Sequence, residues 1–312
     1  MSNYLLSICI PTNGVSRWVV PAVRQIYSLG TDNAIFEVVV ADNDPNEEII
    51  AAMEEFSNYP NFRYVKTQAK GFYNIVENFV QARGDFMIKI NHRCLLEKGA
   101  IERIYQTGCE YIDRKPLIFF SNGHLWENKR MEFKTFDEYL CKLSYWASLS
   151  EGLFFWKEDL LAVPDIKFAP MSPNVSLMFN SKTKDLFVID DTHFAGTQDS
   201  TGKYGYDFFN TFSVLFMDLV NQVRIEGFLS TESFIKIKKD IAIWLSEMYF
   251  EMKVLGHKGN YILKEIKKDL SVYYTKDQYY RMIVYSWGYL LPKYCYGCTV
   301  NLIRRIVHPK SA

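Results

Sequence analysis

The first 120 residues alternate short runs of branched apolar side chains with longer stretches whose apolar positions recur every three or four residues. Leu5 to Ile10 predicts a strand, stopped by Pro11, which has no N–H to give to a sheet ladder. Ser16 to Leu29 places Val19, Val20, Val23, Ile26 and Tyr27 at helical spacing. Phe36 to Ala41 is almost fully apolar, the pattern of a strand buried on both faces. Helices over about 46–56, 71–82 and 97–112 then alternate with strands over 62–66, 85–90 and 117–121. This rhythm predicts βαβ units and a mostly parallel sheet flanked by helices.

Past residue 130 the pattern changes. Thr135-Phe-Asp-Glu138 has capping-box spacing and predicts a helix through Trp146. Short strands follow at 152–156 and 186–189, and from about Tyr204 the chain is nearly all helical in period. The expected division is an α/β domain over 1–200 and a helical region over 201–312. No Pro/Gly/Ser-rich linker and no internal repeat interrupts them.

Ligands of open parallel sheets bind beyond the carboxyl ends of the strands. Those ends read Pro11-Thr12-Asn13-Gly14, Asp42-Asn43-Asp44-Pro45 and Asn91-His92-Arg93-Cys94, and all three should face one crevice. Asp42 can accept hydrogen bonds from a ribose or a base, or can serve turn chemistry alone. For Asp44 and Asn46 a turn or cap role is the simpler reading.

Residues 5–100 resemble the nucleotide-sugar-binding half of a family 2 glycosyltransferase with the GT-A fold, an α/β nucleotide-diphospho-sugar transferase architecture. The resemblance rests on Leu5-Leu-Ser-Ile-Cys-Ile-Pro-Thr12, on Phe36 to Asp44 with its nucleotide-contacting Asp, and on Gly71-Phe-Tyr-Asn74, one residue short of the family's Gly-x-x-x-Asn. Ala82 to Asn91 and Leu95 to Ile101 resemble the runs into and out of the family's metal-binding signature, and 150–159 its acceptor-side strand. Beyond residue 200 only the helical tails of bacterial surface-polysaccharide transferases are similar. The resemblance implies an inverting transfer from a UDP- or dTDP-sugar to a lipid-linked or growing surface polysaccharide. Donor contacts would come from Pro11, Thr12, Asn13, Asp42, Asp44, Lys70, Gly71, Asn74, Asn91, His92 and Arg93. Gly152 and Asn174 would lie on the acceptor side.

Two departures qualify that implication. The family's Asp-x-Asp signature, which holds Mg²⁺ or Mn²⁺, is replaced here by His92-Arg93-Cys94 after Asn91, so a divalent metal is disfavoured and no cofactor is expected. Arg93, His92 and Lys70 offer cations that can offset diphosphate charge instead. The family's basic Asp also has no counterpart in Pro170-Met-Ser-Pro-Asn174. Glu151, Asp190, Asp191 and Asp207 remain as acids, with Asp191 and Glu151 the preferred pair. The competing reading is a catalytically silent GT-A-like protein that binds glycan or a partner enzyme.

Composition narrows the partners. With 48% hydrophobic and 23% charged residues the chain folds rather than staying disordered. Thirty-six bases against 36 acids give zero net charge, which argues against nucleic acid. Zinc-hydrolase His pairs, G-x-S-x-G, G-x-G-x-x-G and Walker A sequences are all missing. Six scattered cysteines, no signal-peptide pattern and no apolar stretch of spanning length predict a cytoplasmic protein with reduced thiols. From Glu251 onward, however, eleven bases face four acids, a local net charge of +7. Residues 289–312 interleave aromatic, aliphatic and basic side chains, which suits peripheral contact with the inner face of a plasma membrane. Docking on the catalytic half or a homo-oligomer contact is the alternative.

Overall fold

Leu6–Thr12 (β1), Phe36–Asp42 (β2), Phe62–Lys66 (β3) and Phe86–Lys89 (β4) are the strands of the first half. They come from a computed structural model that describes residues 4–46, 49–149, 151–199, 205–257 and 261–298. Cys94–Leu96 (β5), Leu117–Phe120 (β6), Arg130–Phe133 (β7), Leu153–Trp156 (β8), Phe187–Asp190 (β9) and Ala195–Thr197 (β10) follow. Eight of them form one sheet in the order β3-β2-β1-β4-β8-β6-β9-β7, and β5 pairs with β10 in a small antiparallel ribbon. Six strands of the large sheet point one way; β8 and β7 run against them. The sheet is mostly parallel, as its nearly continuous apolar strands require.

Helices flank it: α1 (Ser16–Ser28), α2 (Ile50–Met53), α3 (Asn74–Gln81), α4 (Ala100–Glu110), α5 (Phe136–Leu143) and α6 (Pro173–Asn180). Val19, Val23 and Ile26 of α1 pack with Ile8, Val38, Ile88 and Ile101 in one buried cluster. The helix expected over 46–56 is only α2 followed by a 3-10 turn, Glu54–Phe56, and residues 47 and 48 lie outside the described ones. The helix expected over 71–82 opens with a 3-10 turn, Gly71–Tyr73, before α3. Thr135 caps α5 by accepting the Glu138 N–H, but the helix stops at Leu143 because Ser144 takes a φ of 53°. Strands β5, β7 and β10 have three or four residues each, too few for a period to register in the sequence.

The chain divides into two compact units, 1–200 with 223–233 and 201–222 with 234–312. The second contains α7 (Phe208–Asn210), most of α8 (Phe216–Ile225) and of α9 (Thr231–Tyr249), then α10 (Ile266–Ser271) and α11 (Lys276–Tyr285). Its interior brings Phe208 and Phe212 against Trp244, with ring centroids 5.0 and 4.6 Å away. Asp207 accepts the Asn210 N–H (3.3 Å) as the cap of α7, which gives this candidate acid a structural role. Among the described residues no helix is long and apolar enough to cross a membrane.

Candidate donor and transfer site

The parallel register sets Thr12 beside Asp42, and Asp42 beside Lys66. Since β6 and β9 share the direction of β1, one edge of the sheet collects six strand ends and the starts of β7 and β8. Thr12 to Gly14, Asp42 to Asp44, Asn91 to Arg93, Ser121 to His124, Glu151 with Gly152, and Asp191 to His193 all lie along this edge. The topology thereby gathers the three expected clusters, separated by 30 to 80 positions in the chain, where α/β sheets bind ligands.

Within the edge, Thr12 Oγ1 lies 2.8 Å from His92 Nδ1 and accepts the Gly14 N–H at 3.2 Å. Asn74 donates to the carbonyls of Thr12 (3.0 Å) and Ala41 (2.8 Å) and accepts from Thr67 Oγ1 (2.7 Å), tying three strand ends together. Its amide is thus turned to the backbone. Asn43 donates to the carbonyls of Ala69 (2.9 Å) and Gly71 (3.0 Å), which fixes the turn that exposes Lys70. Asp42 is fully buried: Oδ1 accepts the Asp44 N–H (2.9 Å), and Oδ2 accepts from Tyr64 Oη (2.8 Å) and Lys66 Nζ (3.0 Å). In the structure its carboxylate is thus paired within the chain. Asp44 accepts the Asn46 N–H (3.3 Å) and packs on Gly14, whose φ of +81° and missing Cβ permit the approach. Pro11 is half-buried and Asn13 exposed beside them.

Trp18, which its helical spacing alone did not single out, organises the cationic side. Its ring lies 5.3 Å from His92, with the Arg93 guanidinium 5.7 Å and the Arg17 guanidinium 4.8 Å from its centre. Its indole N–H donates to the Asp199 carbonyl (2.8 Å), and Gln198 donates its amide to the Trp18 carbonyl (2.9 Å). The Gln198 N–H in turn bonds the Arg93 carbonyl at 2.9 Å. Among the described residues the buried Nε of Arg93 has no hydrogen-bond partner. A Trp one turn into the helix after the first strand-end loop was the available signal.

No protein-family model matches this chain, and no curated protein matches its sequence. Solved structures do resemble it. Residues 1–349 of S. aureus TarS superpose with a TM-score of 0.56 at 14% identity, over 80% of this chain and 75% of that one. The same protein in complex with UDP-GlcNAc gives a TM-score of 0.58 at 13% identity, over 85% and 78%. With UDP bound the values are 0.53 and 13%, over 91% and 79%. The chain has the GT-A fold.

In this GT-A frame, the segment expected to replace a metal signature can be tested for its donors. A hard divalent cation asks for several oxygen ligands. Asn91 Oδ1 instead accepts the Arg93 N–H (3.1 Å), and His92 Nδ1 faces Thr12. Cys94 opens β5 with a thiol pushed up to about 12, first by burial and then by the charge of Glu151. These residues do not fit a divalent metal. Among the described residues no group of three His, Cys, Asp or Glu side chains is placed to hold one.

The expected acids Asp191 and Asp190 have partners within the chain. Asp191 is fully buried: Oδ1 accepts from Ser121 Oγ (2.6 Å) and the Leu125 N–H (3.0 Å), and Oδ2 from the N–H groups of Glu127 (2.8 Å) and Asn128 (3.2 Å). Burial alone would raise its pKa, but these four hydrogen bonds outweigh it and hold the carboxyl below the usual range. A base needs an accessible lone pair and useful basicity, and Asp191 has neither; it anchors the 121–128 loop. Asp190 likewise accepts the Thr192 N–H (3.0 Å) and lies 3.5 Å from Arg130 Nε. Asn174 donates to the Leu149 carbonyl (3.0 Å), holding the approach to Glu151 and Gly152. Asp191→Ala should lower unfolding free energy by about 3 kcal/mol, since it strands several buried donors. With a depressed folded pKa, the carboxylate's contribution is present above about pH 4 and lost as pH falls through the folded value. Urea titrations at neutral and acid pH should therefore show the wild-type advantage shrinking below about pH 4.

Proposed function

We propose that the chain is a family 2 glycosyltransferase. In this reading it moves a sugar from a UDP- or dTDP-linked donor to a lipid-linked or growing surface polysaccharide, with inversion and without a divalent metal. The observation that carries the reading is the cationic segment Asn91–Arg93, joined to the end of β1 through Thr12 and His92 and backed by Trp18. In this reading the segment provides the positive charge that a leaving diphosphate needs. TarS in complex with UDP-GlcNAc supports a donor of that class. Lys70, exposed on its turn, supplies a further cation at the same edge.

Peripheral membrane contact belongs to the same proposal. Trp287, Tyr289, Tyr294 and Tyr296 are between 44% and 73% exposed, with Lys293 among them, a composition suited to an anionic interface. Residues 299–312, including Arg304, Arg305 and Lys310, lie outside the described ones. A homo-oligomer is the outcome expected instead if liposome flotation fails and sedimentation gives a dimer.

Nucleotide binding is the direct test. UDP at a hundred times its Kd should stabilise the fold by about 2.7 kcal/mol. A clear rise in Tm with UDP or dTDP, undiminished by a chelator, is expected, and ADP should give less. No shift with any pyrimidine diphosphate would sink the proposal, and a shift without turnover on any acceptor would favour the silent glycan-binding protein.

A further inference from the structure

We propose that His124 is the catalytic base, taking the proton from the attacking hydroxyl, with Glu151 as the carboxylate that steadies the charge it acquires. The inference rests on the transferase reading above. Its starting point is an absence at the expected place: Asn174 stands where the family's acid would be, and Asp191 has both oxygens engaged.

His124 follows β6 in the loop that Asp191 anchors, at the edge shared with the start of β8. Only β8 separates β6 from β4, whose end carries His92 and Arg93. At about 4.8 Å per strand, the end of β6 lies about 10 Å along the edge from the diphosphate-binding segment. A donor sugar extending from that segment over Gly152 would bring its anomeric carbon toward His124. The imidazole stacks on Trp146, with centroids 4.3 Å apart and planes 9° from parallel, which fixes its orientation. Neither ring nitrogen has a hydrogen-bond partner among the described residues.

The charged and titratable groups that act on His124 are Glu151 at the start of β8, Asp191 at the end of β9, and His193 just beyond. Burial is the largest influence and lowers its pKa; His193 acts the same way, while the two carboxylates pull against them. The net direction is down, so the ring is neutral at pH 7 and ready to accept a proton. As the acceptor oxygen bonds to the anomeric carbon, the bond from that carbon to the diphosphate oxygen breaks. The nucleoside diphosphate leaves with that electron pair. The hydroxyl proton passes to an imidazole nitrogen, and the imidazolium later releases it to solvent. The charges of Glu151 and Asp191 favour the imidazolium between those steps through space.

The test uses the full chain, UDP-GlcNAc and UDP-glucose as donors with water as acceptor, and UDP binding as a separate readout. His124→Gln should lower UDP release about 10²- to 10⁴-fold while UDP affinity stays within about 2-fold. The wild-type pH profile should fall on an acidic limb centred below about pH 6.5, and that limb should vanish in His124→Gln. Glu151→Gln should move the limb to lower pH by removing a charge that favours the imidazolium. A His124→Gln variant that releases UDP at near wild-type rate, or keeps the limb, overturns the proposal while leaving the donor site standing. So does a wild type that binds UDP yet releases none from either sugar nucleotide. Failure to bind UDP at all removes the transferase reading itself.

Discussion

Gly152→Ala should be the most damaging single substitution in the α/β unit, lowering unfolding free energy by about 4 kcal/mol or more. Gly152 has a φ of +85°, and an added Cβ would sit 1.9 Å from the Phe120 carbonyl oxygen, with the carbonyl carbon at 2.9 Å. Both are backbone atoms, so no flexible side chain can move aside. The Gly152 N–H donates to the Lys89 carbonyl (3.0 Å), and its carbonyl accepts the Phe120 N–H (2.9 Å). The residue therefore bridges β4 and β6 at the entry to β8. Alanine would strain its own backbone and break this bridge together. Gly196→Ala is the control, because nothing lies within 4 Å of its added Cβ. Urea denaturation should separate the two; equal midpoints would show that the register around β8 tolerates the change.

The second large effect is expected at Arg93. Arg93→Ala should weaken UDP binding about 10- to 100-fold, the loss of one charge-assisted fork on a diphosphate. Lysine keeps the charge but not the planar donors or the packing on Trp18, so Arg93→Lys should fall between. If the cations on the protein offset the diphosphate charge as proposed, Mn²⁺ should change wild-type affinity by less than about 3-fold. Calorimetry with and without the metal reads both quantities. Strong enhancement by Mn²⁺ with unchanged affinity in Arg93→Ala would mean that a metal, and not Arg93, meets the diphosphate.

Much of this site was legible because strand ends are predictable from the strands. The apolar runs at β1, β2 and β4 fix where each must stop, and topology sends those stops to one edge. The charge state of the site was less legible. Asp42 and Asp191 look alike in sequence to carboxylates that meet ligands, and in the structure each accepts several hydrogen bonds from its own chain. Asn74, expected at the donor, laces strand ends together. Conversely Trp18 and the His124–Trp146 pair carry no motif, and only their neighbours in space give them a place in the site.

By itself the sequence determined the binary pattern, and with it the α/β sheet, its helices and the position of the strand-end loops. Those are local properties, since apolar periodicity and breakers act over a few residues. Tertiary structure decided which polar groups are already satisfied and which remain to act. Trp18 bonds a carbonyl 181 positions away, Ser121 a carboxylate 70 away, and Thr12 faces an imidazole 80 away. A buried polar atom must find its partner wherever the fold brings one, and no local pattern records that choice.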